Sequence, residues 1–250
     1  MTFCLGIKVE DGLVAIADTL VTAGSECTTA AKIFTYQHEQ QALFIMTSGL
    51  RSVRDKALTY FEEVLDESGP TFDRVFKALN AFASQVRRVA DEDKAALAAS
   101  GLEFNIHALV GGQFERDREH KLYLLYPQAN WVEIAQGTPS QIIGAAGYGK
   151  PVLDRTLKYR DPMSFALKVG CLAFDSTRIS AADVDFPIDV VLYERDSFAL
   201  VEQRYEKADL AEISNWWQER LRQSVNELRV DWVEPLVSRL PSRRRASAGG

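Results

Sequence analysis

The chain has 250 residues, of which 46% are hydrophobic, and a formal net charge of −6 with a pI near 5.3. This length and apolar content suffice for one well-filled core. The acidic balance argues against a nucleic-acid-binding surface, and no stretch approaches the roughly 18 to 20 apolar residues of a membrane-spanning helix. Because the first residues carry no secretion signal, we expect a cytoplasmic protein.

The cysteines and histidines predict neither a disulfide framework nor a metal site. Cys4, Cys27 and Cys171 form an odd set without CxxC spacing, and none of the three histidines shows HxxH or HExxH spacing. We interpret the cysteines as buried or free thiols. No cofactor is expected, and because the chain lacks a Walker-type GxxxxGK[ST] run, any ATPase unfoldase would be a separate, unidentified chain.

The first fifth of the chain is typical of antiparallel sheet. Apolar segments at Thr2–Val9 and Leu13–Asp18 flank the turn signal Glu10-Asp11-Gly12, which predicts a hairpin. A further strand pair is expected at Lys32–Tyr36 and Gln41–Thr47. This second pair closes on a Ser-Gly turn.

Two helical patterns follow, with apolar residues at spacings of three and four. They cover Arg51–Asp66 and Thr71–Ala98 and are separated by Ser68-Gly69-Pro70. Strands then return, with Gly111-Gly112 expected as a divider. The predicted strands are Phe104–Val110, Lys121–Tyr126 and Trp131–Ala135.

The last part of the chain repeats this alternation of helices and strands. Helices are predicted at Gly149–Leu157, at Pro162–Phe174 and near Leu210–Leu228, and strands at Ile188–Tyr193 and Phe198–Arg204. Strand blocks that alternate with helix pairs favour antiparallel sheets with helices packed outside them. We therefore predict an α+β fold, a four-layer αββα sandwich.

We expect one domain over residues 1–236 and a basic tail over 237–250. Arg243, Arg244 and Arg245 lie in this polar tail, which we interpret as solvated and disordered, with an electrostatic docking tag as the alternative. The pair Trp216-Trp217 on the last helix suits either subunit contacts or packing within the chain.

Thr2 is a candidate nucleophile because it directly follows Met1. Removal of Met1 would leave a threonine whose hydroxyl attacks and whose own α-amine, with a reference pKa of about 7.7 to 8.0, accepts the proton. One residue would then supply both roles. A methionine followed by threonine is also common without any catalytic purpose.

Three further positions suit the same chemistry. Asp18 ends the strand that pairs with the first one and Lys32 opens the next, so both charges are expected near Thr2. Such a lysine favours loss of the hydroxyl proton, and the aspartate keeps it charged and oriented. The Ser48-Gly49 turn before a helix would offer a backbone N–H to an oxyanion. Solvated surface charges and a purely steric glycine are the alternatives.

These segments resemble the proteasome β-subunit family. The resemblance rests on Thr2-x-x-x-Gly6-Ile7-Lys8, on Gly12–Thr19, on Lys32 and on the Thr47-Ser48-Gly49 turn. Two later segments are similar to its bacterial branch called Anbu, the "ancestral β subunit". They are Tyr148–Arg155 and Phe174-Asp175-Ser176-Thr177 followed by Pro187-Ile188-Asp189.

The resemblance implies the N-terminal nucleophile hydrolase fold and a homo-oligomer that acts on peptide or amide substrates. Thr2 would be nucleophile and base, Asp18 and Lys32 the supporting pair, and Gly49 the oxyanion donor. Thr47 and Ser48 would border the substrate. The resemblance further assigns a distal acid and hydroxyl beside the N-terminus to Asp175 and Ser180, although Asp175 would also suit a turn cap.

One departure from the family pattern concerns catalysis. Relatives carry a Ser or Thr just before the Tyr-Gly-Lys-Pro segment, where this chain reads Gly144-Ala145-Ala146-Gly147. Loss of that hydroxyl would leave the terminal amine less well oriented. Two hypotheses therefore stand: an N-terminal-threonine amide hydrolase, and a noncatalytic assembly or binding protein that keeps the proteasome-like shell.

Overall fold

The computed structural model describes residues 2–23 and 26–240, so Met1 and the arginines at 243–245 lie outside the described residues. The chain divides into two compact units, of which the first ends at Leu210 and the second begins at Ala211. Each unit is described by itself. The single domain expected over 1–236 and the disordered tail stay predictions.

Two five-stranded antiparallel sheets form the centre of the first unit. In the first sheet the spatial order is β10-β1-β2-β11-β12, with β1 (Phe3–Val9), β2 (Gly12–Asp18), β10 (Ser140–Gly144), β11 (Ile188–Glu194) and β12 (Leu200–Tyr205). In the second sheet the order follows the chain, with β5 (Ile33–His38), β6 (Gln41–Gly49), β7 (Ile106–Phe114), β8 (Lys121–Leu125) and β9 (Trp131–Glu133). A separate hairpin joins β3 (Leu20–Ala23) to β4 (Glu26–Thr29).

The helices of the first unit come in two pairs. They are α1 (Arg51–Ser68) and α2 (Val75–Ala99), joined by a 3-10 turn at Gly69–Thr71, and α3 (Lys150–Thr156) and α4 (Met163–Ser180). The second unit contains α5 (Ala211–Asn226) and α6 (Glu234–Val237). Within the described residues no helix is long and apolar enough to cross a membrane, and the cytoplasmic location stays a prediction.

The central strands bury both faces, which explains their unbroken apolar runs. In β1, Phe3 and Leu5 pack toward α3 and α4, whereas Cys4 packs toward the second sheet. In β6, Ile45 packs toward α1 and α2, whereas Phe44 packs toward the first sheet. Three apolar cores thus separate four layers, helices, sheet, sheet and helices, and the predicted αββα fold is confirmed.

Two expectations about strands were wrong. Gly111 and Gly112 do not divide strands but continue β7, in register with Phe44 and Leu43 of β6. A Cβ atom on Gly111 would lie 2.2 Å from Cζ of Phe44, so the missing side chain makes room for the aromatic ring between the sheets. The strands β3, β4 and β10, which are short, were not predicted from the sequence.

The last helix of the first unit is longer than expected. The predicted helix ended at Phe174, but α4 continues to Ser180. Asp175 therefore lies inside a helix, and the alternative of a turn cap was wrong. Phe174 is buried against Phe3 of β1, with ring centroids 5.7 Å apart, and Asp175 and Thr177 of the additional segment are also buried.

Candidate active site

Five polar or glycine positions meet at one end of the two sheets. Thr2 precedes β1, while Asp18 and Gly144 end its two antiparallel neighbours, β2 and β10. From the second sheet, Lys32 precedes β5 and Gly49 ends β6. Because neighbouring antiparallel strands run in opposite directions, the start of one strand lies beside the end of the next. The topology thus brings residues that are distant in the sequence into one cluster.

A cavity of about 540 Å³ opens at this cluster. Its wall includes five of the predicted site residues, namely Thr2, Lys32, Thr47, Ser48 and Gly49. None of the lining residues is an aspartate or glutamate. The remaining lining residues are Leu20, Val21, Leu50, Arg51, Arg54, Asn105, His107 and Gly144.

Asp18 and Lys32 form a buried ion pair beneath the cavity. Nζ of Lys32 lies 2.7 Å from Oδ1 of Asp18 and also donates to the carbonyl oxygen of Leu20 at 2.7 Å. Lys32 is 5% exposed and Asp18 is fully buried. Burial raises the pKa of Asp18, and the hydrogen-bonded charge of Lys32 opposes this rise. The pair therefore holds the ammonium group of Lys32 at a fixed place in the cavity that Thr2 also lines.

The backbone around Thr2 is held on both sides. The N–H of Phe3 donates to Oδ1 of Asp18 at 2.8 Å, and the carbonyl oxygen of Thr2 accepts the N–H of Ala145 at 2.7 Å. Gly144 has a φ of +89°, and a Cβ atom there would lie 1.9 Å from that carbonyl oxygen. Only glycine allows this approach, so Gly144 positions Thr2.

The turn after β6 is also specific for glycine. Gly49 has a φ of +132°, and a Cβ atom on it would lie 2.2 Å from the carbonyl oxygen of Asn105. The same oxygen accepts the N–H of Leu50 at 2.9 Å, directly before α1 begins at Arg51. The turn thus sets the start of α1 at the cavity wall.

Like Asp18, two further predicted residues do not line this cavity. Asp175 is buried on α4, where its Oδ1 accepts hydrogen bonds from Arg178 at 2.9 Å and 2.7 Å. Ser180 is exposed at the end of the same helix. Their roles near the N-terminus stay predictions. In the described part of the chain, no group of three or more His, Cys, Asp or Glu side chains is suited to a metal ion.

Four residues that line the cavity were not predicted as site residues. The sequence predicts only a helix at Arg51 and Arg54 and a strand at Asn105 and His107. His107 pairs with Ser48 in the β6–β7 register, so a correct register would have placed it at the cavity. No sequence signal marks the two arginines, because their position depends on the turn at Gly49.

The chain matches solved structures over most of its length, whereas no family model and no curated protein matches its sequence. An Anbu mutant from Hyphomicrobium sp. strain MC1 is 29% identical, with a TM-score of 0.85, and the match covers 92% of this chain and 98% of that one. Anbu from Yersinia bercovieri is 26% identical, with a TM-score of 0.84 and coverage of 91% and 97%.

A third match is described as a helical assembly of the Anbu complex from Pseudomonas aeruginosa. It is 28% identical, with a TM-score of 0.83, and covers 91% of this chain and 97% of that one. The matches thus extend across both sheets and the helices that cover them. The fold and these matches thus show that the chain is structurally similar, over about nine-tenths of its length, to Anbu, the ancestral β subunit.

Proposed function

We propose that this chain is an N-terminal-threonine hydrolase that cleaves peptide or related amide bonds once Met1 is removed. The observation that carries the proposal is the position of Thr2, which lines a cavity directly above the buried pair of Lys32 and Asp18. A buried cation beside a hydroxyl stabilises the alkoxide that forms during attack. A structural ion pair alone would not require an adjoining cavity.

The proposed reaction has two steps. Oγ of Thr2 attacks the carbonyl carbon, its proton passes to the α-amine and then to the leaving amine, and an ester to Thr2 forms as the amide bond breaks. The Gly49 N–H stabilises the oxyanion, and Thr47 and Ser48 border the substrate. Water then hydrolyses the ester, which releases the carboxylic acid and restores the hydroxyl.

We further propose that the chain works as a homo-oligomer. A relative with 28% identity forms a helical assembly of the Anbu complex. In the second unit of this chain, several large apolar side chains are exposed, which suits a contact with another copy. They include Trp216, Leu221, Val225, Trp232 and Leu236. Sedimentation of the full chain at several times its 28.0 kDa monomer mass is expected, and a purely monomeric protein would contradict this part of the proposal.

A noncatalytic assembly protein is the second candidate function. It is favoured by one observation: Ala145 and Ala146, which follow the glycine that positions Thr2, carry no hydroxyl to orient the terminal amine. In that case the shell would be kept while the reaction is lost. The two candidates differ in what happens at Thr2.

Hydrolysis of fluorogenic peptide amides separates the two candidates. The native protein is compared with a Thr2→Ala variant, which keeps the fold because the Thr2 hydroxyl makes no hydrogen bond in the described structure. We expect turnover that Thr2→Ala abolishes. Turnover that survives in the variant, or none from protein whose N-terminus is shown to be Thr2, would favour the assembly role.

A further inference from the structure

We propose that the cavity beside Thr2 selects substrates with an acidic side chain on the acyl side of the cleaved amide bond. The inference rests on the proposed hydrolase function and names its substrate class. The carboxylate would lie between Thr47 and the start of α1, where Arg51 and Arg54 also line the cavity.

The charge of the cavity lining is the first support. Lys32, Arg51 and Arg54 line the cavity, and no aspartate or glutamate does, although the whole chain carries a net charge of −6. Lys32 forms an ion pair with Asp18, so these two residues together add no net charge. The unbalanced charge therefore comes from the two arginines. A positive wall in an acidic protein attracts an anionic group to this place.

The arginines are only partly neutralised by their own neighbour. Nε of Arg51 lies 3.3 Å from Oδ2 of Asp55, and Nη2 of Arg54 lies 2.6 Å from its Oδ1. One carboxylate thus serves two guanidinium groups, which leaves one positive charge in excess. Among the described hydrogen bonds, Arg51 uses its Nε–H alone. Its other N–H groups remain for a ligand, and arginine pairs with carboxylates in bidentate geometry.

An unpartnered hydroxyl is the independent support. Thr47 lines the cavity and is 3% exposed, and its Oγ1 has no hydrogen-bond partner among the described residues. Buried hydroxyls are normally hydrogen-bonded, so an orphaned one beside a cavity indicates a missing ligand atom. A substrate oxygen would accept its proton.

The start of α1 adds further donors at the same wall. Leu50 gives this helix no side-chain cap, and its first turn contains no acidic residue. The first N–H groups of a helix lack intrahelical partners and carry positive potential, so they favour an anion. The hydroxyl, the guanidinium groups and the helix end together suit a carboxylate. A neutral amide side chain would satisfy the hydroxyl but not the charge, and a basic side chain would be repelled.

The test uses peptide epoxyketones that react with an N-terminal threonine and differ only in the last side chain: glutamate, glutamine, leucine or lysine. The rate of covalent addition to the native protein is followed by intact mass. We expect the glutamate reagent to react about tenfold faster than the glutamine reagent, the factor that corresponds to one charge-assisted hydrogen bond. The lysine reagent should be the slowest. High salt should reduce these differences.

Arg51 has a matched control on the second helix. Arg88 pairs with Glu92 four residues later at 3.1 Å, as Arg51 pairs with Asp55, and the two arginine side chains are 52% and 57% exposed. Arg88 does not line the cavity. We expect Arg51→Gln to remove most of the preference for glutamate over glutamine and Arg51→Glu to reverse it, whereas Arg88→Gln leaves it unchanged.

Thr47→Val provides a second variant, because valine has nearly the same shape as threonine but lacks the hydroxyl. Because the replaced hydroxyl has no partner, the fold should stay at least as stable, while the ratio of the glutamate rate to the leucine rate falls several-fold. An equal loss of rate for both reagents would show that Arg51 or Thr47 serves the covalent addition itself rather than recognition of the side chain. This result would overturn the inference.

Two negative outcomes separate the inference from the function on which it rests. If the leucine reagent labels Thr2 at least as fast as the glutamate reagent, the substrate class is wrong and the hydrolase function stands. If no reagent labels protein that begins at Thr2, the hydrolase function fails, and the inference fails with it.

Discussion

At the residue scale, the Nζ atom of Lys32 lies at 2.7 Å from both Oδ1 of Asp18 and the carbonyl oxygen of Leu20. These contacts fix the ammonium group, which is buried and lines the cavity. The sequence predicted the pair because both residues lie at strand ends. The sequence alone did not reveal the role of Leu20, since backbone acceptors depend on the path of the chain after β2.

Replacement of Lys32 should lower both the stability of the fold and the reactivity of Thr2. We expect Lys32→Met to lower the free energy of unfolding by about 3 to 5 kcal/mol, because the buried Asp18 carboxylate loses its partner. The double variant Lys32→Met with Asp18→Asn should recover part of this loss. Urea denaturation of the wild type and the two variants checks this. Equal stability of the two lysine variants would contradict a coupled pair.

Gly144 provides a second test at this scale. A methyl group on it would meet the Thr2 carbonyl oxygen at 1.9 Å, and its φ of +89° is strained for any other residue. Gly144→Ala should therefore cost about 1 to 3 kcal/mol of stability and displace Thr2, with at least a tenfold slower reaction with an epoxyketone. Gly147→Ala is the control, because a Cβ atom there meets nothing within 4 Å. Similar behaviour of the two variants would argue against a positioning role.

A pH-dependent stability is expected from His120, which lies away from the cavity. Burial lowers its pKa to about 4, and its Nε2 lies 2.8 Å from the carbonyl oxygen of Val9. The unfolded chain, with a histidine pKa of about 6.5, binds the proton first as pH falls. Stability is thus fully present above pH 6.5 and is lost toward pH 4, by about 3 kcal/mol for this group.

The variant His120→Gln isolates that contribution. Glutamine keeps an N–H donor for Val9 but does not titrate, so its stability should fall less than that of the wild type between pH 7 and pH 4.5. His38→Gln, the same substitution at an exposed position, is the control. Chemical denaturation at both pH values measures the difference. Parallel curves for His120→Gln and wild type would show that the buried imidazole does not contribute.

At the element scale, the sequence was sufficient where local signals agree. The first hairpin was predicted because a turn signal at Glu10-Asp11-Gly12 separates two apolar runs, and the observed strands begin and end within one residue of the prediction. The extent of β7 was not predictable, because Gly111-Gly112 looks like a divider in isolation. Only the facing ring of Phe44 reveals why glycine occurs inside a strand.

This contact between the sheets predicts a compensating pair of substitutions. Gly111→Ala should destabilise the fold by about 1 to 3 kcal/mol, because its methyl group overlaps the ring of Phe44. Phe44→Leu alone should also destabilise, by leaving a cavity. The double variant should be more stable than the sum of both losses implies. Thermal or urea unfolding checks this, and strict additivity would show that the two residues do not share the space.

At the scale of the whole molecule, the layered fold brings the proposed chemistry to one end of the two sheets. Cys4 of the first sheet contacts the backbone of Thr47 in the second, with Sγ 3.7 Å from the carbonyl oxygen. The sequence predicted this fold and most of the cluster at the strand ends. The positions of Arg51 and Arg54 in the cavity wall were not predicted. They depend on how the end of β6 leads into α1, which no local sequence pattern encodes.

The proposed function requires that Thr2 reacts as an N-terminal nucleophile. Its most direct test is mass mapping of the natively produced protein after treatment with a threonine-directed epoxyketone. We expect a mature chain that begins at Thr2 and carries one reagent molecule on that residue. A chain that keeps Met1, or one that begins at Thr2 and stays unmodified, would contradict this role of Thr2.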